Sequence, residues 1–175
     1  ERSNEFNTLL STPILTIGHT VIFLHPWDQP TALQRVWCLL ELFVTVQHGL
    51  ILDVAITTHE RERFEAALVE DFQSIIPSLS RIDVATAKAS NQAEQDRILS
   101  SVADGVGFHQ LNKLVIVRMH EWVAESGRRA LGTLEVAERA TSKLILQLGR
   151  LLDEQGKFDD ARELFTEAIT GRRAE

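Results

Sequence analysis

The chain has 175 residues, of which 44% are hydrophobic and 25% are charged, a balance typical of a folded globular protein and not of a disordered one. Its formal net charge of −7, with no offsetting cluster of Lys or Arg, argues against a nucleic-acid-binding face. The single cysteine, Cys38, excludes a disulfide framework and a cysteine-based metal site. With no apolar run near the roughly 20 residues that cross a bilayer, these features predict a cytoplasmic protein.

The first elements predicted along the chain are a short helix and a strand. Residues 1–11 are polar with scattered apolar side chains, and they predict a loop or a frayed helix. Thr12 followed by Pro13 is the pattern of an N-cap with proline at the first helical position, and Gly18 is a typical helix terminator. Residues 21–24 then predict a buried strand, because they are β-branched, aromatic and aliphatic and end close to a proline.

The next segment contains two prolines and then a strongly apolar helix. Pro26 and Pro30 bias the residues before them away from helical angles, so the chain must turn before a helix begins. Thr31 has the residue type of an N-cap for a helix over residues 33–48. Because apolar residues occupy most of the circumference of this helix, we expect it to be an interior element.

Glu41 lies on the narrow polar stripe of that helix, and two interpretations of it remain open. In the first, Glu41 is an edge carboxylate that faces solvent. In the second, it is held beside an aromatic wall that includes Trp37, one turn earlier. Partial desolvation there would raise its pKa and suit it to acid/base or nucleophilic work.

A strand, a loop and then the run Trp-Cys-Leu-x-Glu-Leu at residues 37–42 resemble the corresponding segment of plant-type TIR (Toll-like) signalling domains. The resemblance covers roughly residues 5–75. It implies a flavodoxin-like parallel sheet with helices on both sides. It also implies that Glu41 is the position of the residue that cleaves NAD in enzymatic members, with Trp37 and Trp27 shaping the pocket.

A second strand and a further helix are predicted after this region. Residues 50–56 read as a buried strand, and strand, helix and strand with short links predict a parallel βαβ unit with a right-handed crossover. Thr57 with Glu60 makes a capping box for a helix over residues 58–72, whose first-turn charges are typical of a solvated face. Pro77 should break the pattern, and residues 81–84 predict a short strand at the sheet edge.

Two more helices are predicted beyond an exposed loop at residues 85–92. Asn91 with Glu94 forms a capping box for the first of them. The Gly-Val-Gly at residues 105–107 follows a helix and not a strand, so it predicts a helix stop and not a dinucleotide-binding loop. His109 and His120 lie too far apart on the next helix, residues 108–125, to share a metal, and we expect no metal site.

The last stretch follows the spacing of a tetratricopeptide repeat. The residues that carry this spacing are Ile145, Leu148, Gly149, Leu152, Ala161, Phe165 and Ala168. Gly156 should close the first helix, and Asp159 or its neighbour should cap the second. The pattern of residues 151–157 resembles the repeats of kinesin light chains. Because one repeat cannot bury its own apolar faces, we expect this chain to be a fragment whose repeats continue beyond Glu175.

Together these features predict an α/β portion followed by an all-α portion: a partial flavodoxin-like, TIR-like parallel sheet joined to a tetratricopeptide hairpin. We place the TIR-like domain at residues 1–125, a linker or connecting helix at 126–139, and the repeat at 140–175. The leading hypothesis is a signalling scaffold that binds proteins or peptide segments in the repeat groove. The alternative is an NAD-cleaving hydrolase using Glu41, with NAD as substrate and no cofactor. Self-association through the α/β face is a third possibility.

Overall fold

The computed structural model describes residues 11–173, so most of the loop or frayed helix predicted for residues 1–11 lies outside the described residues. The described chain is mostly helical, with a small parallel sheet near its N-terminal end, as expected for an α/β start followed by helices. The strands are β1 (His19–Phe23) and β2 (Ile51–Ala55). The helices are α1 (described over residues 11–17), α2 (Val36–Gln47), α3 (Thr58–Glu70), α4 (Phe72–Ser80), α5 (Gln92–Asp104), α6 (Phe108–Gly132), α7 (Val136–Thr141), α8 (Lys143–Glu154) and α9 (Phe158–Arg173).

The chain divides into two compact units, each made of segments that are separated in sequence. Of the described residues, the first unit contains those up to Glu60 together with Leu79–Met119. The second contains Arg61–Ser78 and the described residues from His120 onward. Within residues 11–173, no helix is both long enough and apolar enough to cross a membrane.

The sheet confirms the predicted parallel pairing of the two strands, but neither strand is buried along its length as predicted, since Val21, Phe23 and Ile51 are exposed. His19 lies opposite Ile51 and Phe23 lies opposite Ala55. Gly18 ends α1, as predicted, with φ at 69°. Because residue 11 is already helical, Thr12 is inside α1 and is not its N-cap. In the described part of the chain the sheet has only these two strands, and the handedness of the crossover remains a prediction.

The central helix begins at Val36, three residues later than predicted. Thr31–Gln34 form a 3-10 helix and Arg35 is extended, so Thr31 is not the N-cap of α2. The first amide of α2 is satisfied from outside the helix, since the Val36 N–H donates to the Lys88 carbonyl over 3.1 Å. The segment predicted as an exposed loop, residues 85–92, therefore hydrogen-bonds to the start of α2. It is also not fully exposed, because Ala87 within it is buried.

The burial of α2 confirms that it is an interior element. Val36 and Leu39 are fully buried, whereas Glu41 is exposed. One polar residue of α2 is not exposed: Thr45 is fully buried, and its hydroxyl donates to the Glu41 carbonyl over 2.8 Å. A threonine tolerates this burial because the helix itself supplies an acceptor for its hydroxyl.

Two predictions for residues 77–84 are wrong. Pro77 lies inside α4 and does not end it; the helix also buries Phe72 and Ile75, and packing of that kind outweighs local helix preference. Residues 81–84 do not form an edge strand, because Val84–Thr86 is a 3-10 helix whose first amide donates to the Asn112 side chain over 3.0 Å. With side chains satisfying its amides, this segment has no need of a neighbouring strand.

The predicted boundary at residues 126–129 lies inside α6, which runs on to Gly132. Gly127 is buried, and a Cβ placed on it would meet the Leu148 side chain at 3.3 Å. Glycine here provides room for a side chain of α8 and does not break the helix. Of the expected linker 126–139, the first part thus belongs to α6, and α7 occupies most of the remainder.

Helices α8 and α9 pack against each other as a hairpin in the second unit. Gly156, with φ at 75°, occupies the connecting turn and closes α8 as predicted. Ser142 caps α8, because its hydroxyl accepts from the Leu144 N–H over 3.1 Å. Asp159 is not the cap of α9, since that helix already begins at Phe158; its charge lies in the first turn, where the helix dipole favours an acid.

Candidate functional site

A pocket of about 300 Å³ in the first unit contains Glu41, and we call it the Glu41 pocket. It is formed by β1, the turn that follows β1, the 3-10 helix and the first half of α2. Its lining residues are Thr20, Val21, Ile22, Phe23, His25, Thr31, Ala32, Arg35, Cys38, Glu41 and Leu42. The pocket therefore includes the carboxyl end of a parallel strand, where α/β folds commonly bind ligands.

An aromatic pair forms part of the pocket wall. The rings of Phe23 and His25 stack, with centroids 5.9 Å apart and planes inclined by 20°. A hydrogen bond to α3 anchors the turn that carries His25: the backbone N–H of Trp27 donates to the Glu60 carboxylate over 2.9 Å. Glu60 is only 3% exposed, so its assignment to a solvated charge cluster was wrong. The capping bond of the same helix is present: the Glu60 N–H donates to the Thr57 hydroxyl over 3.2 Å.

Two threonine hydroxyls join β1 to α2 beside Glu41. The Thr45 hydroxyl donates to the Glu41 carbonyl, which can only accept. Since a hydroxyl has one hydrogen, Thr45 must accept in its 2.7 Å contact with the hydroxyl of Thr20. Thr20, which lines the pocket, is therefore the donor to Thr45.

The electrostatics of the pocket favour a neutral thiol and a weakened acid. Loss of water contact raises the pKa of the Glu41 carboxyl, although part of the residue remains exposed. The positive charge of Arg35 partly opposes this rise. Burial, followed by the negative charge of Glu41, raises the pKa of the Cys38 thiol. Glu41 is thus suited to proton transfer, whereas Cys38 is a poor nucleophile near neutral pH.

The two tryptophans expected to shape the pocket lie elsewhere. Trp37 is half-buried on α2 and Trp27 is buried in the turn after β1, and neither lines the Glu41 pocket. The aromatic wall is instead the Phe23–His25 pair, which sequence reasoning did not single out. The three-residue spacing of Cys38 and Glu41 could have indicated a shared face, but nothing in the sequence indicates which turn residues lie opposite it.

A second concave surface lies between α7 and α9 in the second unit, and we call it the α7–α9 cleft. Its volume is about 980 Å³. Its lining residues are Val136, Ala137, Ala140, Thr141, Asp159, Arg162, Glu163, Thr166, Glu167, Thr170 and Gly171. Arg139 and Glu167 join the two helices with hydrogen bonds of 2.5 and 2.8 Å, and that bonding raises the pKa of the Arg139 guanidinium. Gly171 allows α9 to approach α7, because a Cβ on it would overlap Ala140.

The residues expected to form a protein-binding repeat lie on α8 and α9 and are mostly buried. All are buried except Phe165, which is half-buried. A Cβ on Gly149 would lie 2.6 Å from the Phe165 ring, so the ring sits directly on the glycine. The seven residues are Ile145, Leu148, Gly149, Leu152, Ala161, Phe165 and Ala168, and none of them lines the α7–α9 cleft. They contribute to the buried interior of the second unit, while the cleft is a separate surface.

Comparisons with known proteins return no match, whether with family models, curated proteins or solved structures. Over residues 11–173, no group of three or more His, Cys, Asp or Glu side chains is placed to hold a metal ion. The TIR-like and tetratricopeptide-type resemblances therefore rest on residue pattern. Within residues 11–173, the Glu41 pocket and the α7–α9 cleft are candidate sites.

Proposed function

We propose that this chain is a protein-interaction module whose α7–α9 cleft receives a peptide segment or helix of a partner protein. In this proposal the α8–α9 hairpin is a tetratricopeptide-type repeat and the first unit is TIR-like, with a partial flavodoxin-like sheet. The observation that carries the proposal is the cleft itself, an open depression of about 980 Å³ along α9.

The packing of the hairpin supports the repeat assignment. Repeats of this type need small residues where their two helices approach most closely. Gly149 lies under the Phe165 ring, and Ala161 and Ala168 are almost fully buried. The alternation of small and large residues at these positions is what close pairing of two helices requires.

The composition of the cleft supports peptide binding. Ala137, Ala140 and Gly171 give it short side chains over which a partner backbone can approach. Asp159 and Glu163 add charges that can orient a partner at one end of α9. Helix-in-groove recognition combines these two features, an apolar floor and a polar rim.

Site-specific photocrosslinking tests this proposal. A photoreactive amino acid is placed at Thr166, which lines the cleft, and in a matched variant at Thr133, an exposed threonine of the same unit outside the cleft. We expect a defined partner to crosslink from position 166 and not from position 133. Identical crosslinking from both positions, or none from position 166, would contradict the proposal.

NAD cleavage at the Glu41 pocket is the second candidate function. The observation that favours it is a carboxyl whose pKa is raised by loss of water contact, placed on the wall of a pocket beside the stacked pair of Phe23 and His25. Such a carboxyl can act as a general acid or base or stabilise a cationic transition state.

Nicotinamide release during incubation with NAD tests the second candidate. We expect turnover by the wild-type chain and a loss of at least about 100-fold in Glu41→Gln, which keeps the shape of the side chain and removes its acid. The control is Glu62→Gln, an exposed glutamate outside the pocket, which should retain activity. Absence of turnover, or equal turnover in Glu41→Gln, would remove this candidate.

A further inference from the structure

Two opposite charges line the Glu41 pocket without neutralising each other. Arg35 lies just before α2 and Glu41 lies in its second turn, and both are exposed. Their charges are close enough for Arg35 to lower the pKa of Glu41. Within residues 11–173, however, neither side chain forms an ion pair or a side-chain hydrogen bond. Both charges are therefore available to a ligand in the same pocket.

The hydroxyls that line the pocket leave only acceptor capacity to a ligand. The hydroxyl hydrogen of Thr20 goes to Thr45, because the hydroxyl hydrogen of Thr45 goes to the Glu41 carbonyl. The hydroxyl of Thr31 donates to the His25 carbonyl over 3.3 Å. Together with the acceptor-only carboxylate of Glu41, these groups call for a ligand with N–H donors, whereas Arg35 calls for an acceptor with negative charge.

The size and walls of the pocket limit the ligand further. A volume of about 300 Å³ is at the lower end of the range found for small-molecule sites, about 300–1,000 Å³. A molecule of amino-acid size can be enclosed in this volume. The stacked rings of Phe23 and His25 give one wall an aromatic face, against which an apolar or cationic group can pack.

We infer that the Glu41 pocket binds a small zwitterion of the amino-acid class, with its ammonium group directed to Glu41 and its carboxylate directed to Arg35. The ammonium supplies Glu41 with the partner that replaces its lost water. The bidentate guanidinium of Arg35 matches the carboxylate. This inference requires neither the function of the cleft nor NAD cleavage, so either of those can fail while it stands.

Matched probes of different charge test the inference on the full chain. The probes are L-alanine and L-phenylalanine, their amides, which lack the carboxylate, and their N-acetyl forms, which lack the ammonium. Binding is followed by the backbone amide NMR shifts of Thr20, Arg35 and Cys38 during titration. We expect the zwitterion in at least one series to bind about tenfold or more tightly than both of its charge-deficient forms.

Variants assign each end of the ligand to its residue. Glu41→Gln should remove the advantage of the zwitterion over the N-acetyl form, and Arg35→Gln should remove its advantage over the amide. Glu62→Gln and Arg61→Gln make the same charge changes at exposed positions outside the pocket and should leave both advantages unchanged. The amide spectrum of each variant also confirms that it is folded.

Three results would overturn the inference. The first is the absence of shifts at the pocket amides with every probe up to about 10 mM. The second is equal affinity for the zwitterionic, amide and N-acetyl forms in both series. The third is zwitterion selectivity that persists in both Glu41→Gln and Arg35→Gln, which would place the ligand elsewhere on the chain.

Discussion

Glu41 combines the exposure expected in one interpretation of its sequence position with the partial desolvation expected in the other, although Trp37 does not line its pocket. It is exposed, as an edge carboxylate should be, and it also lies on a pocket wall that removes part of its water. The raised pKa of Glu41 follows from that second fact and is moderated by Arg35. Periodicity alone predicted the polar stripe but not the pocket, because His25 and Phe23 reach it from outside the helix.

The charge of Arg35 should be measurable through the pKa of Glu41. Removing the positive charge with Arg35→Gln leaves the loss of water contact unopposed, so we expect the pKa of Glu41 to rise further. Carboxyl-carbon NMR titration of Glu41 measures the change, and Arg61→Gln is the control, since Arg61 does not line the pocket. An unchanged or lower pKa of Glu41 in Arg35→Gln would show that the two charges do not interact.

The same shift sets the sign of a dependence of stability on pH. Because the folded-state pKa of Glu41 lies above its unfolded value, the folded chain holds more protons between the two, and the contribution of Glu41 to stability falls as the pH rises through that window. The stability of Glu41→Gln relative to the wild type should therefore be greater at pH 7 than below the unfolded pKa of about 4.3. The difference should be less than about 1 kcal/mol, because solvent screens this exposed group. Urea unfolding at both pH values tests the sign, and a relative loss of stability at pH 7 would contradict it.

At the scale of the elements, the patterns that succeeded are local ones. Residues 21–24 and 50–56 predicted strands that pair in parallel, although β1 begins earlier, at His19. Asn91 is the N-cap of α5, as predicted, because its side chain accepts from the Ala93 and Glu94 amides. Pro77 and the expected strand at 81–84 failed because tertiary partners, buried side chains in one case and Asn112 in the other, outweigh local preference.

Glu60 provides a test of how the turn before α2 is held. Glu60→Ala removes the buried carboxylate that accepts from the backbone N–H of Trp27. We therefore expect the free energy of unfolding to fall by about 1–3 kcal/mol. Glu60→Gln keeps an amide oxygen in that position and should cost less. Urea denaturation of both variants measures the difference. Equal losses in the two variants would show that the hydrogen bond to Trp27 is not what Glu60 contributes.

The α8–α9 hairpin provides a matched pair of glycine substitutions. Gly149→Ala places a methyl group 2.6 Å from the Phe165 ring, and we expect it to destabilise the chain by about 1–3 kcal/mol. Gly132→Ala is the control, because a Cβ at this helical position meets nothing within 4 Å and should be neutral or stabilising by up to about 1 kcal/mol. Thermal unfolding compares the two, and a neutral Gly149→Ala would mean that the helices are not closely paired there.

At the scale of the whole molecule, the α/β start and the helical remainder could be predicted, but the two compact units could not. Segment 61–78 belongs to the same unit as the residues from His120 onward, and in that unit the Phe64 ring stacks on Trp122 with centroids 4.7 Å apart. The sequence predicted consecutive domains because hydrophobic periodicity and the positions of turn residues such as Gly and Pro give information only about neighbouring residues. The Ser-Gly-Arg-Arg stretch at 126–129 looked like a boundary for the same reason, since its glycine could not be connected with Leu148 from sequence.

The central claim is that the α7–α9 cleft is the surface that binds a partner. The most direct measurement is the affinity of the purified partner identified by crosslinking, titrated against the wild-type chain, Thr166→Arg and Thr133→Arg. Thr166→Arg fills the cleft with a long charged side chain, whereas Thr133→Arg makes the same change outside it. The account predicts a loss of about tenfold or more in Thr166→Arg and wild-type affinity in Thr133→Arg. Equal affinity of all three proteins for the partner would contradict it.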